Sequence, residues 1–411
     1  MKTKLLVFIV IAVASLSLGH RAKAQDFPSK STQIVIGEVD SLYSYVLGEQ
    51  REIWVHLPDN MESGDRYPVI YLLGSTSNFY AVVGMLKLLT RWNMPESILI
   101  GIIAGENGLR DQTPTNVPVD RGQNSESSGG ASDFAKFINE ELQPYINGKY
   151  PTEDMTTIVG HSIGGLFVVY AYVHHPGVFD NYLAIEPSLW WDQELLVSES
   201  AAVLSTGDYG NESLYVAVAN SVGIDTVAVR DHTSEETEQL RANLNFHDVL
   251  VKNKNRLEYE WEYFGNDDHS SLIVPALYNG FRQLFSWYPF AEMWRFNTPD
   301  KYTAEELVQP FYHHFSELSK RFKREMRPDW QFVNDVGLFM YSGHKSPEKA
   351  IAYLDMNLKY YPGDVRSYVA LGDLHSTLGN AAKAIGYFEK AVEMGGEADI
   401  IDKLNKLRSG K

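Results

Sequence analysis

The chain contains no cysteine. Thiol catalysis, disulfides and cysteine-based zinc sites are thereby excluded. It also lacks a His-Glu-x-x-His motif, and its adjacent histidine pairs are His174-His175 and His313-His314. Both pairs read as helix-surface or core histidines, so neither a metal nor another cofactor is expected. Positive charge is scarce. Lys and Arg number 36 against 53 Asp and Glu, a formal net charge of −17, which argues against nucleic acid or an anionic membrane surface as a partner. A membrane-length apolar run is missing too: Leu5 to Leu18 is too short to span a bilayer comfortably.

That short run has another reading. Lys2 and Lys4 precede it, and Ala22-Lys23-Ala24 before Gln25 is an A-x-A cleavage pattern, so residues 1–24 read as a signal peptide. No cysteine follows, which removes lipoprotein anchoring. The mature protein is expected to be periplasmic or secreted, with no membrane span after cleavage. An uncleaved N-terminal anchor is the alternative.

At 411 residues the chain is too long for one ordinary domain and suits two. Its centre is Thr157-Ile158-Val159-Gly160-His161-Ser162-Ile163-Gly164-Gly165. A β-branched run ends in Gly-x-Ser-x-Gly and a helix-forming run follows, the context of a nucleophile elbow. The elbow lifts Ser162 above the sheet, and the helix starting near Ile163 aims free N–H groups at it. The bland alternative is a glycine-rich turn with an exposed serine.

Around this motif the pattern changes character. Residues 33–39 and 51–57 alternate apolar and polar, as half-buried antiparallel strands do. Pro68 to Leu73, Ser97 to Ile103, Met155 to Val159 and Tyr182 to Ile185 are nearly continuous apolar runs, expected of parallel strands covered on both faces. Helical stretches are predicted at 79–92, 131–146, 163–174 and 193–204. Strands follow at 213–219 and 257–264, with helices at 234–251 and 272–287. Repeated βα alternation predicts an α/β sheet.

Ser162 is followed by acids and then by His269, which sits on a loop after the last strand. That is the order of the α/β-hydrolase fold, a mostly parallel sheet with helices on both faces. His269 is the candidate base among twelve histidines. For the acid that orients it, Asp225 stands first because it lies a few residues past the strand 213–219, and Asp231 second. Asp268 is a poorer choice because adjacent side chains usually diverge, and a pair without an acid is the remaining option. The oxyanion hole needs two backbone N–H groups. Ile163 is one; Gly74 and Ser75, after a buried strand, are equal candidates for the other.

These segments together resemble the putative-esterase (esterase D-like) family of α/β-hydrolases. The matching stretches are Arg51 to Pro58, Tyr67 to Leu73, Leu109-Arg110-Asp111-Gln112-Thr113-Pro114, Gly129 to Phe134, Val159 to Phe167, Pro187-Ser188-Leu189-Trp190-Trp191 and Asp268 to Leu272. The resemblance implies hydrolysis of carboxylic esters through an acyl-serine, without a metal. Two departures stand out. Leu72-Leu73-Gly74-Ser75 replaces the usual Leu-Leu-Asp-Gly, and the usual Gly-x-x-Glu after the late strand is absent. Arg110 either holds a substrate carboxylate or phosphate or locks a loop. Trp190 and Trp191 form either an aromatic substrate wall or core packing.

Beyond Trp287 the composition shifts. A linker with Pro289 and Pro299 leads to a charged helix at 304–326. Then Ala350 and Ala384, Tyr353 and Tyr387, and Leu358 and Val392 repeat at one spacing that fits the helix–turn–helix tetratricopeptide pattern. Helices are predicted at 331–342, 346–360, 364–378, 381–394 and 397–408. The expected domains are therefore a hydrolase over 25–289, a linker and connecting helix over 290–327 and a tetratricopeptide-like region over 328–411. That region is expected either to bind a protein partner or self-associate, or to cap the hydrolase. For the whole chain, the first reading is an exported serine esterase with Ser162 and His269. Its substrate is a small-molecule or polysaccharide-linked ester, among them feruloyl or acetyl groups and siderophore lactones. The second is a retired hydrolase acting as a scaffold through its helical region.

Overall fold

A computed structural model describes residues 34–409 apart from 60, 62, 63, 75, 91, 92 and 211. The expected signal peptide and the oxyanion candidate Ser75 lie outside the described residues. From Ile36 onward the chain forms one compact unit.

The strands are β1 (Glu38–Ser44), β2 (Glu49–His56), β3 (Tyr67–Gly74), β4 (Ile98–Ile103), β5 (Val119–Asp120), β6 (Gln123–Asn124), β7 (Thr152–His161), β8 (Asn181–Ile185), β9 (Ser213–Ala219) and β10 (Glu258–Phe264). Eight of them form one sheet in the order β1-β2-β4-β3-β7-β8-β9-β10, and β5 and β6 make a separate small hairpin. Pairing is antiparallel across β1, β2 and β4 and parallel from β4 to β10. The switch follows the sequence pattern: alternating β1 and β2 have one wet face, while β8 and β9 are buried throughout. The first strand lies over 38–44 rather than 33–39. Ser44 pairs with Glu49, so the turn at 45–48 sets which residues face β2.

The helices are α1 (Thr76–Leu89), α2 (Gly108–Gln112), α3 (Ala131–Lys136), α4 (Gln143–Lys149), α5 (Ile163–His174), α6 (Trp191–Thr206), α7 (Glu238–Lys252) and α8 (Ile273–Leu284), with a π-helical stretch, Phe137–Leu142, joining α3 to α4. Side chains of α1 and α8 form the core on one sheet face. Those of α3 to α7 form it on the other. This double cover is what continuous apolar strands require, and it makes the core a three-layer α/β arrangement.

An all-helical region follows: α9 (Ala304–Arg321), α10 (Trp330–Ser342), α11 (Pro347–Tyr360), α12 (Val365–Thr377), α13 (Ala381–Glu393) and α14 (Ala398–Ser409). α10 packs on α11 and α12 on α13, and the two pairs stack through α11 and α12. α9 begins in a capping box between Thr303 and Glu306 and stops at Arg321, where Lys323 takes a left-handed backbone (φ 52). The stretch before α9 is packed rather than free: Phe290 lies 4.0 Å and Phe296 5.6 Å from Phe311, ring centre to ring centre. Trp287 joins the two regions, with Phe322 at 5.8 Å and the Arg321 guanidinium at 4.0 Å.

Candidate active site

β7 runs straight into α5 with one residue between them. That residue, Ser162, has φ 59 and ψ −118, a conformation that costs a side-chain-bearing residue roughly 1–3 kcal/mol. The surroundings hold it there. Ser162 N–H donates to the Ile185 carbonyl (3.0 Å), and its own carbonyl accepts from Leu166 (2.9 Å) and Ser188 (3.1 Å). A Cβ on Gly160 would lie 2.2 Å from the Gly164 carbonyl oxygen, so the turn closes only with glycine there. The Ser162 hydroxyl lies 3.3 Å from that of Ser188.

Ile163 opens α5, so its N–H points out of the helix end beside Ser162. Gly74 ends β3 at φ 134, a region open to glycine and strained for any residue with a side chain. The two candidates lie on contacting segments: a Cβ on Gly164 would sit 3.4 Å from both Leu73 Cβ and Gln112 Oε1.

His269 lies in the turn after β10. Asp268 shapes this turn by accepting the N–H groups of Ser270 and Ser271, both at 2.8 Å. The His269 carbonyl accepts His161 Nε2–H at 2.8 Å, and the two rings lie 4.5 Å apart. Burial holds His269 below the ordinary histidine value, against the pull of Asp268. Burial, and then His269, push His161 down to about 4. His161 is therefore neutral at pH 7 with its proton on Nε2.

Neither acid candidate hydrogen-bonds His269. Exposed Asp225 accepts from the backbone of Val227 (2.9 Å) and Ala228 (3.2 Å), which makes it the cap of its own short turn. Asp231 ends that turn and is exposed. Among the described residues no carboxylate hydrogen-bonds the His269 ring.

Two residues at the site were not singled out from the sequence. Ser188 faces the nucleophile. Glu186, at the end of β8, is 0% exposed, has φ 44, and accepts the Ala219 N–H. Burial pushes its carboxyl up to about 7, and its second oxygen has no partner. Gln239 and Asn243 of α7 hold the Glu186 and Pro187 carbonyls below the nucleophile's neighbour. The available signal was a lone acid ending an otherwise apolar strand.

Arg110 is engaged by Glu49 (2.7 and 3.0 Å) and Asp111 (2.8 Å). Its contact holds Glu49 down at about 2. Buried Arg51 binds the same Asp111 at 2.6 Å, so this network fastens the loop bearing α2 to β2. Trp191 is buried, with Nε1–H donating to Thr115 Oγ1 at 3.2 Å. Trp190 is half-buried, and the Arg121 guanidinium from the β5–β6 hairpin lies 3.6 Å from its ring centre. Asp192, Gln193 and Glu194 follow in left-handed conformations. Among the described residues no group of metal-ligating side chains is gathered.

Comparison with known proteins agrees with this geometry. Residues 44–272 match the family described as Putative esterase. The chain is similar to a siderophore enterobactin esterase of Emericella nidulans, at 30% identity over a 171-residue alignment, with 38% of this chain and 56% of the relative covered. It spans less than two thirds of the length of the first curated relatives it matches. Among solved structures, an IroE-like serine hydrolase from Shewanella oneidensis superposes with a TM-score of 0.63 at 26% identity, covering 79% of this chain and 99% of the other. An uncharacterised protein from Capnocytophaga ochracea shares the fold over 91% of this chain and 99% of its own, with a TM-score of 0.62 at 16% identity.

Proposed function

Since the chain belongs to the putative esterase family, we propose that it is a serine ester hydrolase acting on siderophore-type lactones. The observation that carries the hydrolase reading is the left-handed Ser162 between β7 and α5 with the His269 turn fastened beside it. Ser162 Oγ attacks the ester carbonyl carbon while the His269 ring takes its proton. The tetrahedral oxyanion lies against the Ile163 N–H and an N–H of the Gly74–Ser75 segment. The intermediate collapses, the ester C–O bond breaks, and His269 returns the proton to the leaving alcohol. Water then releases the acid by the same steps in reverse. We assign the reaction to Ser162 and His269 without a dedicated carboxylate, because Asp225 and Asp231 are engaged in or beside a turn of their own.

The substrate class rests on the enterobactin esterase and IroE-like relatives. Half-buried Trp190 is assigned to the wall near the acyl group, buried Trp191 to core packing behind it, and Arg110 to holding its loop. Incubation of the full chain with a catecholate trilactone, a feruloyl ester and an acetylated polysaccharide, followed by chromatography, tests it. Ring opening of the trilactone at the highest kcat/KM is expected. Turnover of only the feruloyl or acetyl esters would overturn the substrate class, and no turnover of any ester would favour the scaffold reading.

We further read residues 25–289 as the hydrolase, 290–327 as connecting segment and 328–411 as a tetratricopeptide-like region. The repeat spacing and the burial of Ala350, Tyr353, Ala384 and Phe388 between paired helices support this. A cleft of about 760 Å³ lined by Trp330, Asn334, Val369, Leu374 and Ile400 supports its use as a partner-binding face. Export is proposed from the sequence of residues 1–24; among the described residues no helix is long and apolar enough to cross a membrane.

A further inference from the structure

The turn that carries His269 closes mostly on itself. Asp268 accepts two N–H groups from within it, Ser271 Oγ–H donates to Asp267, and the remaining backbone bonds run to the adjoining strand and helix. Among the described residues, one hydrogen bond joins residues 265–271 to another part of the domain, and it comes from His161, the residue before the nucleophile. A base must stay within about 3 Å of the proton it removes, and a misplacement of about 1 Å can cost about 100-fold in rate. A loop with a single outside tether has little else to fix that distance.

We propose that His161 is a positioning residue for His269, its Nε2–H holding the main chain of the base-bearing turn against the elbow. The inference rests on the assignment of His269 as the base. The tether spans the two catalytic groups directly: Ser162 is the next residue after one end, and His269 itself is the other. The geometry also suits the reaction's charge. Low-lying His161 stays neutral, so it adds no second positive charge 4.5 Å from the ring that becomes imidazolium. It keeps one donor, on the nitrogen that faces the carbonyl.

The test compares His161→Leu, which removes the donor, with His161→Gln, whose amide nitrogen has a similar reach. Hydrogen exchange of residues 265–272, kcat and KM on one ester, and melting temperature are measured for both and for wild type. In His161→Leu, exchange of this segment accelerates, kcat falls about 10- to 100-fold and KM stays within about threefold. His161→Gln restores most of kcat and the slow exchange, with both variants melting within a few degrees of wild type. Unchanged exchange in His161→Leu would overturn the tether whatever the activity. An equal kcat loss in both variants would also overturn it. Accelerated exchange in His161→Leu alongside a wild type inactive on every ester would instead mark failure of the hydrolase reading, and with it of the positioning role.

Discussion

Glu186 shows how closely one side chain can be bound to solution conditions. Its carboxyl rises from 4.5 to about 7 on burial, so the folded chain holds the proton more tightly than the unfolded chain does. The resulting stability is fully present below pH 4.5 and is lost as pH rises through about 7. A shift of this size corresponds to roughly 3 kcal/mol. Glu186→Gln removes the titration. Urea denaturation is expected to show the variant near wild type at pH 5 and more stable than wild type at pH 8, by up to about 3 kcal/mol. The same difference at both pH values would contradict the assignment. This residue was illegible in the sequence because an acid after a strand reads as an ordinary loop residue; only the Ala219 N–H on the neighbouring strand explains its direction. Ser162 and His269 stand out as candidates in the sequence because chain order and flanking patterns mark them. Asp225 lies a few residues past a strand end, and sequence distance does not reveal that its oxygen caps its own turn.

Among the elements, β3, β4, β7, β8 and β9 were readable from their continuous apolar runs, because burial on two faces leaves little freedom of composition. α5 and its start at Ile163 followed from the elbow. The β5–β6 hairpin was not readable: its strands are two residues long and carry no periodicity. It nevertheless covers Trp190. Arg121 stacks on that ring and pairs with Glu238 at 2.9 Å and Glu235 at 3.5 Å, so the hairpin is fastened to the approach to α7. The ion pairs are part-exposed and worth little, while the ring contact is worth about 1 kcal/mol. Arg121→Ala is therefore expected to raise KM for an aromatic ester by up to about fivefold and to leave kcat nearly unchanged. Steady-state kinetics with aromatic and acetyl esters checks this, and a loss confined to kcat would contradict it.

For the molecule as a whole, the sequence distinguishes an α/β core from an all-helical tail, because composition and period both change near Trp287. It could not show how the tail is joined, since aromatic contacts such as Trp287 with Phe322 and Phe290 with Phe311 link residues far apart in sequence. The chain's net charge of −17 offers polyanions no attraction. The proposed chemistry centres on Ser162 and His269. Time-resolved labelling with a fluorophosphonate, mapped by peptide mass spectrometry, measures that most directly. Label on Ser162 alone is expected, absent in Ser162→Ala, slowed at least about 100-fold in His269→Ala and kept within about threefold of wild type in Asp225→Asn and Asp231→Asn. No label on Ser162, or labelling of it that is indifferent to His269, would contradict the proposed chemistry.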